Sequence, residues 1–432
     1  MIASSIFAII SALLIAAHFF RIGETGLTLA ALMAPGLLAL HRTWAIRVFQ
    51  GLIAAAVFVW VATAAEIINF RLAVSRDWLT AALIMLSVII FTAVTPFIIE
   101  RRRIKCGSDK LQSAVPAVSF FLTAFILGVV QVIVEPPLLI LERLHPGLGW
   151  LEIFLISIYA AFITEKMLDK SAAPRWRRRI WLVFSALFFG QLILGLAGFD
   201  IFLMSGKLHL PVPAMIAAGP LYRGEGLFMP ILFLLTTILV GPAWCSYICY
   251  IGSWDNLAAD RRRSPRPLPS WAGPMRMMIL VIIVAAAIGF RLAGVPTLAA
   301  TIAGLIFGLV GVGLMFFRSR RRGAMTHCVA YCPIGLLADW IGKISPFRLR
   351  IKNECTECGL CRIACRYDAL NKNDIERRRP ALSCTLCGDC LKSCRDGFIE
   401  YRFPGLAPET TRRVFLVLVI ALHSCALALA RI

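Results

Sequence analysis

Eleven apolar runs, most of roughly 17–25 residues, fall at about 2–20, 26–40, 48–65, 78–99, 113–134, 150–164, 180–204, 227–250, 277–295, 296–317 and 413–431. A run of that length lets one α-helix cross ~30 Å of hydrocarbon, where the helix must satisfy its own backbone because lipid offers no partners. Hydrophobic residues make up 59% of the 432 and charged residues 16%, against about 45–50% and about 25% in soluble domains. The chain is expected to be a polytopic α-helical membrane protein with about eleven transmembrane helices. The second and sixth runs are short enough to be re-entrant, and the ninth and tenth meet at Gly294-Val295-Pro296. Without a charged start, and with a second run close behind, Ile2–Phe20 reads as a retained helix and not as a cleaved signal.

The formal net charge is +21, from 45 Lys and Arg against 24 Asp and Glu. In a soluble chain such an excess would suggest nucleic acid. In a membrane chain it first reports orientation, because basic residues collect in cytoplasmic loops, and no nucleic-acid partner is expected. With a cytoplasmic N-terminus, Arg21, Arg71, Arg76, Arg143, Lys207, Arg223, Arg291 and Arg431 land on or near the outer side. The other 37 of the 45 lie inside, among them Arg101–Arg103, Arg175–Arg179, Arg261–Arg263 and Arg318–Arg322. These arginine runs are also expected to touch anionic lipid.

Residues 343–408 differ in kind, being polar and rich in Cys, Arg, Lys and Asn. They hold Cys355-Thr-Glu-Cys358-Gly-Leu-Cys361-Arg-Ile-Ala-Cys365 and then Cys384-Thr-Leu-Cys387-Gly-Asp-Cys390-Leu-Lys-Ser-Cys394. Both read C-x2-C-x2-C-x3-C, the run in which three thiolates wrap one cubane and the fourth, expected at the start of a short helix, ligates the other. Cys355, Cys358, Cys361 and Cys394 would thus hold one [4Fe-4S] cluster, and Cys384, Cys387, Cys390 and Cys365 the second. Zinc draws its ligands as two pairs, which tandem runs of four fit poorly. The segment is expected to be a small two-cluster ferredoxin-like α+β module. Arg366 and Arg395 stand where such runs usually have Pro, and two cations there would favour the reduced state.

A second pattern repeats as Trp244-Cys245-Ser-Tyr-Ile-Cys249-Tyr-Ile-Gly252 and His327-Cys328-Val-Ala-Tyr-Cys332-Pro-Ile-Gly335. Both read C-x3-C-x-I-G, with Asp255 and Asp339 shortly downstream. Cysteines at i and i+4 would share one helix face, so all four sulfurs would meet if the two segments are pseudo-symmetric. Three readings stand: a metal or iron–sulfur site made by both pairs, redox-active dithiols, and buried structural cysteines.

The tandem cysteine runs behind a multi-helix membrane part, with two C-x3-C motifs of which one continues into Pro333, resemble the membrane polyferredoxins of the NapH, NosR and CcoG type. The resemblance covers about Trp176 to Arg402, including Leu208-His209-Leu210-Pro211-Val212-Pro213 as an outer loop. It departs where Tyr250 replaces the Pro that usually follows the first C-x3-C, and residues before about 110 lie beyond the usual core. No outer loop is long enough for the flavin-binding domain of the NosR branch.

The chain divides into residues 1–110, a membrane region of unassigned role; 111–342, a membrane core with both C-x3-C motifs; 343–408, the cytoplasmic two-cluster module; and 409–432, a last transmembrane helix. No nucleophile, acid–base pair or nucleotide loop is present, so the expected function is electron transfer in a bacterial inner membrane. The chain would be a component of an oxidoreductase system. Its partners would be a soluble cytoplasmic carrier or flavoprotein and, on the other side, quinone or a membrane or periplasmic redox protein. An assembly factor that reduces a metal or thiol, and a redox sensor, are the alternatives. Cys106 and Cys425 stand alone and read as structural, and His18 and His423 lie at different depths, which disfavours a bis-histidine haem. Gln131, Glu135, Gln191 and Asp200 are polar groups near outer helix ends, where a quinone site or helix packing would explain them.

Overall fold

The computed structural model describes residues 2–103, 114–202 and 211–429. Cys106, Lys207, Leu208-His209-Leu210 and Arg431 lie outside the described residues, as does the side chain of Asp200. Among the described residues, eight helices are long and apolar enough to cross a membrane: Thr43–Ala73, Leu79–Ile99, Val115–Ile133, Ala173–Leu196, Phe228–Tyr247, Ala272–Leu292, Thr297–Arg322 and Pro408–Leu429. The first apolar run forms the helix Ile2–Arg21, and the second forms Thr25–Met33 and Gly36–Ala39. The sixth run forms the helix Gly149–Leu168, which carries Glu152, Glu165 and Lys166 and falls outside the eight. Between the ninth and tenth runs the chain turns as expected, and Pro296 caps the helix that begins at Thr297.

The chain forms two compact units, Met1–Thr164 and Glu165–Ile432. The expected divisions at 110, 342 and 408 each lie inside one of them. The first unit packs Trp44, Phe49, Ile99, Phe120 and Phe154 into a buried core. Hydroxyl pairs tie its helices together, Ser11 with Thr95 and Thr164 with Ser119, each at 2.9 Å. Such bonds contribute about 1 kcal/mol in lipid, where dispersion and polar contacts replace the hydrophobic drive between helices.

In the second unit, strand Arg348–Ile351 pairs antiparallel with Ile399–Arg402, in the register Leu349↔Tyr401 and Ile351↔Ile399. Those four residues are buried and alternate with more exposed neighbours, as a one-sided sheet requires. The strand pair brackets both cysteine runs and rests on the last helix, where Tyr401 stacks on Phe415 at 4.7 Å. That helix, Pro408–Leu429, is 61% buried over its apolar window, against 11–33% for the other seven. It is therefore the post around which the second unit is built.

The cysteine-rich segment is held fast to the membrane part. Arg177, 0% exposed, makes a two-pronged ion pair with Asp389 at 3.0 and 2.6 Å and donates to the Ser246 carbonyl. Ser246 Oγ donates to the Thr385 carbonyl and the Tyr247 hydroxyl to the Cys387 carbonyl. The Met325 amide donates to the Arg366 carbonyl at 2.8 Å, and the Leu268 amide to Asp368 at 2.7 Å.

Candidate functional site

The two tandem runs fold alike, residue for residue. Glu357 and Leu386 take φ of 56° and 55°, and Gly359 and Gly388 take 74° and 78°. Left-handed residues alternating with ordinary ones turn successive amides to one side of the loop, a concavity suited to anionic sulfur. Short helices follow, Leu360–Ala364 and Asp389–Ser393. Cys365 and Cys394 end these helices; the expectation that the fourth cysteine would begin one is corrected. Leaving the helix in extended backbone frees each sulfur to accept an amide, Ala369 to Cys365 at 3.3 Å and Phe398 to Cys394 at 3.2 Å.

The runs cross. Cys355, Cys358, Cys361 and Cys394 line one cavity of about 290 Å³, together with Arg395. At the other end Cys365 packs with Cys384 and Cys387. Burial raises the Cys390 thiol well above its ordinary range, and Cys387, Cys384 and Cys365 push it further. The first set is the open one, with Cys358 exposed, while in the second Cys390 is buried. Burial pushes the Cys384 thiol up to about 12 and Cys387 to about 11.

Arg366 does not stand as a free cation beside a cluster site. Its guanidinium donates to the carbonyls of Arg262 and Gly323 and pairs with Asp260 at 3.3 Å. Arg395 alone keeps the expected place.

Both C-x3-C motifs take one shape, and it is not the shared helix face expected from an i, i+4 spacing. The first cysteine lies in a helical turn, Trp244–Tyr247 or His327–Tyr331. The second leaves the helical conformation, with φ, ψ of −66°, 114° at Cys249 and −71°, 117° at Cys332. New helices then begin at Tyr250 and Pro333. Proline forces its predecessor out of the helical region, which explains the break at Cys332. Tyr250 fills the same first helical position, where an unbonded amide is normal, and its ring stacks on Phe188 at 4.0 Å.

The glycine of each motif is fixed by close approach. A Cβ on Gly252 would lie 2.6 Å from Trp181 and 3.0 Å from the Cys245 carbonyl, and one on Gly335 would lie 2.2 Å from Arg276 and 3.1 Å from the Cys328 carbonyl. The crowding side chains also hold the cysteines. Trp181 Nε1 donates to the Cys249 carbonyl at 2.7 Å, and Arg276 Nε to the Cys332 carbonyl at 2.9 Å. Arg276 is itself fixed by Asp339 at 2.7 Å in a buried pair, while Asp255 reaches across the repeat to accept the Cys328 amide at 2.9 Å.

Cys245, Cys249, Cys328 and Cys332 line one small cavity of about 20 Å³, with Tyr367, Ser383 and Thr385 of the cysteine-rich segment closing it. Burial pushes the Cys249 thiol up to about 12 and raises Cys332, while the amides of Ile251 and Gly252, and of Ile334 and Gly335, pull the two back down. Helix N-termini favour thiolate in this way. Around one zinc ion, sulfurs about 2.3 Å from the metal stand within ~4 Å of each other. Among the described residues no three His, Cys, Asp or Glu are gathered to hold a single ion.

The comparison with known families bears on these same segments. A family profile described as a 4Fe-4S binding domain matches residues 222–267 and 300–352. A 4Fe-4S binding domain is present. The matched stretches contain Cys245 and Cys249, then Cys328 and Cys332, and stop short of Cys355. Neither a curated protein nor a solved structure matches the chain.

Sequence reasoning missed Arg177, Trp181, Arg276, Tyr367 and Thr385. Arg177 was hidden in a basic run that reads as a topology signal, Trp181 and Arg276 are single residues far from the cysteines they hold, and Tyr367 and Thr385 lie beside the tandem cysteines with nothing in the spacing to tie them to the C-x3-C site. Of the remaining candidates, His423 is buried and its Nδ1 lies 2.9 Å from the Tyr247 carbonyl. Cys425 is buried in the same helix. Gln131 sits beside Glu142 at Gly149, Glu135 is exposed, and Gln191 belongs to the other compact unit.

Proposed function

We propose that the protein is an integral membrane electron carrier with three iron–sulfur centres, of the NapH, NosR and CcoG type. Two [4Fe-4S] clusters are held by Cys355, Cys358, Cys361 and Cys394 and by Cys384, Cys387, Cys390 and Cys365, and the third by Cys245, Cys249, Cys328 and Cys332. The residues present suit these groups: each set is four soft sulfur donors, and the tandem loops turn their amides toward the sulfurs. Clusters of this kind supply one-electron transfer over a potential range set by hydrogen bonding and exposure.

The observation that carries the reading is the order of the three sets. Cys358 is exposed, the cysteines of the second set are half-buried or buried, and residues of the second set's own loop, Ser383 and Thr385, wall the C-x3-C cavity. The exposed set faces a soluble carrier or flavoprotein. The buried sets lead to the membrane edge, where Tyr247 ends the span Phe228–Tyr247 and where quinone or a redox protein would exchange electrons. The asymmetry of the basic loops supports a cytoplasmic N-terminus and cysteine-rich segment, and the reading sets the chain in a bacterial inner membrane.

Iron and acid-labile sulfide per chain, read with EPR of the reduced protein, test this. Three [4Fe-4S] clusters require about twelve iron in the wild type. In Cys245→Ala/Cys328→Ala, about eight should remain with both tandem signals intact. Eight iron in both proteins would remove the third centre.

A further inference from the structure

Tyr367 is 3% exposed, yet its hydroxyl has no hydrogen-bond partner. A buried phenol normally finds one, since leaving it bare forfeits its hydration. The ring belongs to the cysteine-rich segment, two residues past Cys365, and lines the cavity shared by Cys245, Cys249, Cys328 and Cys332. It belongs to one apolar cluster against which Cys328 and Cys365, Cys384 and Cys387 all pack. The phenol therefore stands at the boundary between the second tandem set and the C-x3-C set, a donor with nothing to donate to except what the sulfurs hold.

We infer that the Tyr367 hydroxyl is a positioning and potential-setting donor to the iron–sulfur group held by the four C-x3-C cysteines, supplied to the membrane site by the cytoplasmic segment. This rests on the three-centre reading above. A hydrogen bond to a cluster sulfur stabilises the more negative, reduced state, so its removal lowers the potential. The neighbouring Thr385 walls the same cavity, and its hydroxyl is likewise buried without a hydrogen-bond partner.

The test is an EPR-monitored redox titration of the full chain in detergent or nanodiscs, with iron and sulfide counted in each sample. Tyr367→Phe should lower the midpoint of the C-x3-C signal, by up to about tenfold in the one-electron equilibrium or about 59 mV, and leave both tandem signals in place. Site-specific 3-fluorotyrosine at 367, a stronger donor of the same shape, should raise that midpoint; it decides the matter if the Phe variant loses iron. A C-x3-C midpoint that moves in neither variant, or a shift confined to the second tandem signal, overturns the inference and leaves the three-centre reading standing. A wild type with about eight iron and no third signal overturns both, and the iron count separates the cases.

Discussion

At the first tandem site three of the four cysteines arrive on a single loop, Cys355 to Cys361, and the space between them is about 290 Å³. At the C-x3-C site two cysteines come from each of two distant segments, and the space is about 20 Å³. The first is shaped by left-handed residues within its own loop and stays open at Cys358. The second is shaped by side chains from elsewhere: Trp181, Arg276 and Asp255 hold its backbone, and Tyr367 and Thr385 close it. Local conformation is enough to build an accessible site, whereas an enclosed one needs long-range packing and is correspondingly vulnerable to changes far from any cysteine.

The largest expected effect follows from the tie between the two regions. Arg177→Ala strands Asp389 in a mostly buried place, which costs about 3–5 kcal/mol. Thermal unfolding in detergent should show that loss, and the second tandem signal should bleach before the first. The nearby pair of Arg178 with Asp260 is about one-third exposed on each side, so Arg178→Ala should cost less than about 1 kcal/mol. Equal losses in the two variants would mean that Arg177 does not anchor the segment.

Next come the two kinds of glycine. Gly335→Ala places a methyl against Arg276 and the Cys328 carbonyl, an overpacking worth about 1–3 kcal/mol, and should remove iron from the C-x3-C site while sparing the tandem sites. Gly359→Ala meets nothing within 4 Å and suffers only its φ of +74°, about 1–2 kcal/mol, with the damage confined to the first tandem signal. Iron counts and EPR of the two purified variants check both.

The smallest effect is expected from Tyr250→Pro. Proline suits the first helical position, so the loss is the ring's stack on Phe188 and its edge contact with Phe189, about 0.5–1.5 kcal/mol for each pair. The iron content of the C-x3-C site should be unchanged. A marked fall would show that the tyrosine holds the break at Cys249 in a way that Pro333 does not at Cys332.

Much of this was legible in the chain itself. Among the described residues, eight of the eleven apolar runs became helices long and apolar enough to span, and the other three also became helical, the sixth as a helix carrying two glutamates and a lysine. The crossed pairing of Cys394 with the first run and Cys365 with the second was readable from spacing. The break inside each C-x3-C was half readable, since Pro333 forbids a helical Cys332 whereas Tyr250 leaves Cys249 free. Arg366 was misread because the pattern places it beside Cys365 but says nothing of Asp260, which takes up its charge.

The sequence by itself determined what depends on near neighbours: span length, the loops that wrap sulfur, and the glycines on which those loops turn. A helix or a tight loop closes its hydrogen bonds within a few residues, so its signal is local. Only the tertiary structure decided that Cys245 and Cys249 meet Cys328 and Cys332, that Arg177 is an anchor among topological arginines, and that Tyr367 brings an unpartnered hydroxyl to a site it is not linked to in sequence. Those arrangements arise because buried charge and buried hydroxyls must be matched wherever the packed chain leaves them, and no spacing rule records that requirement.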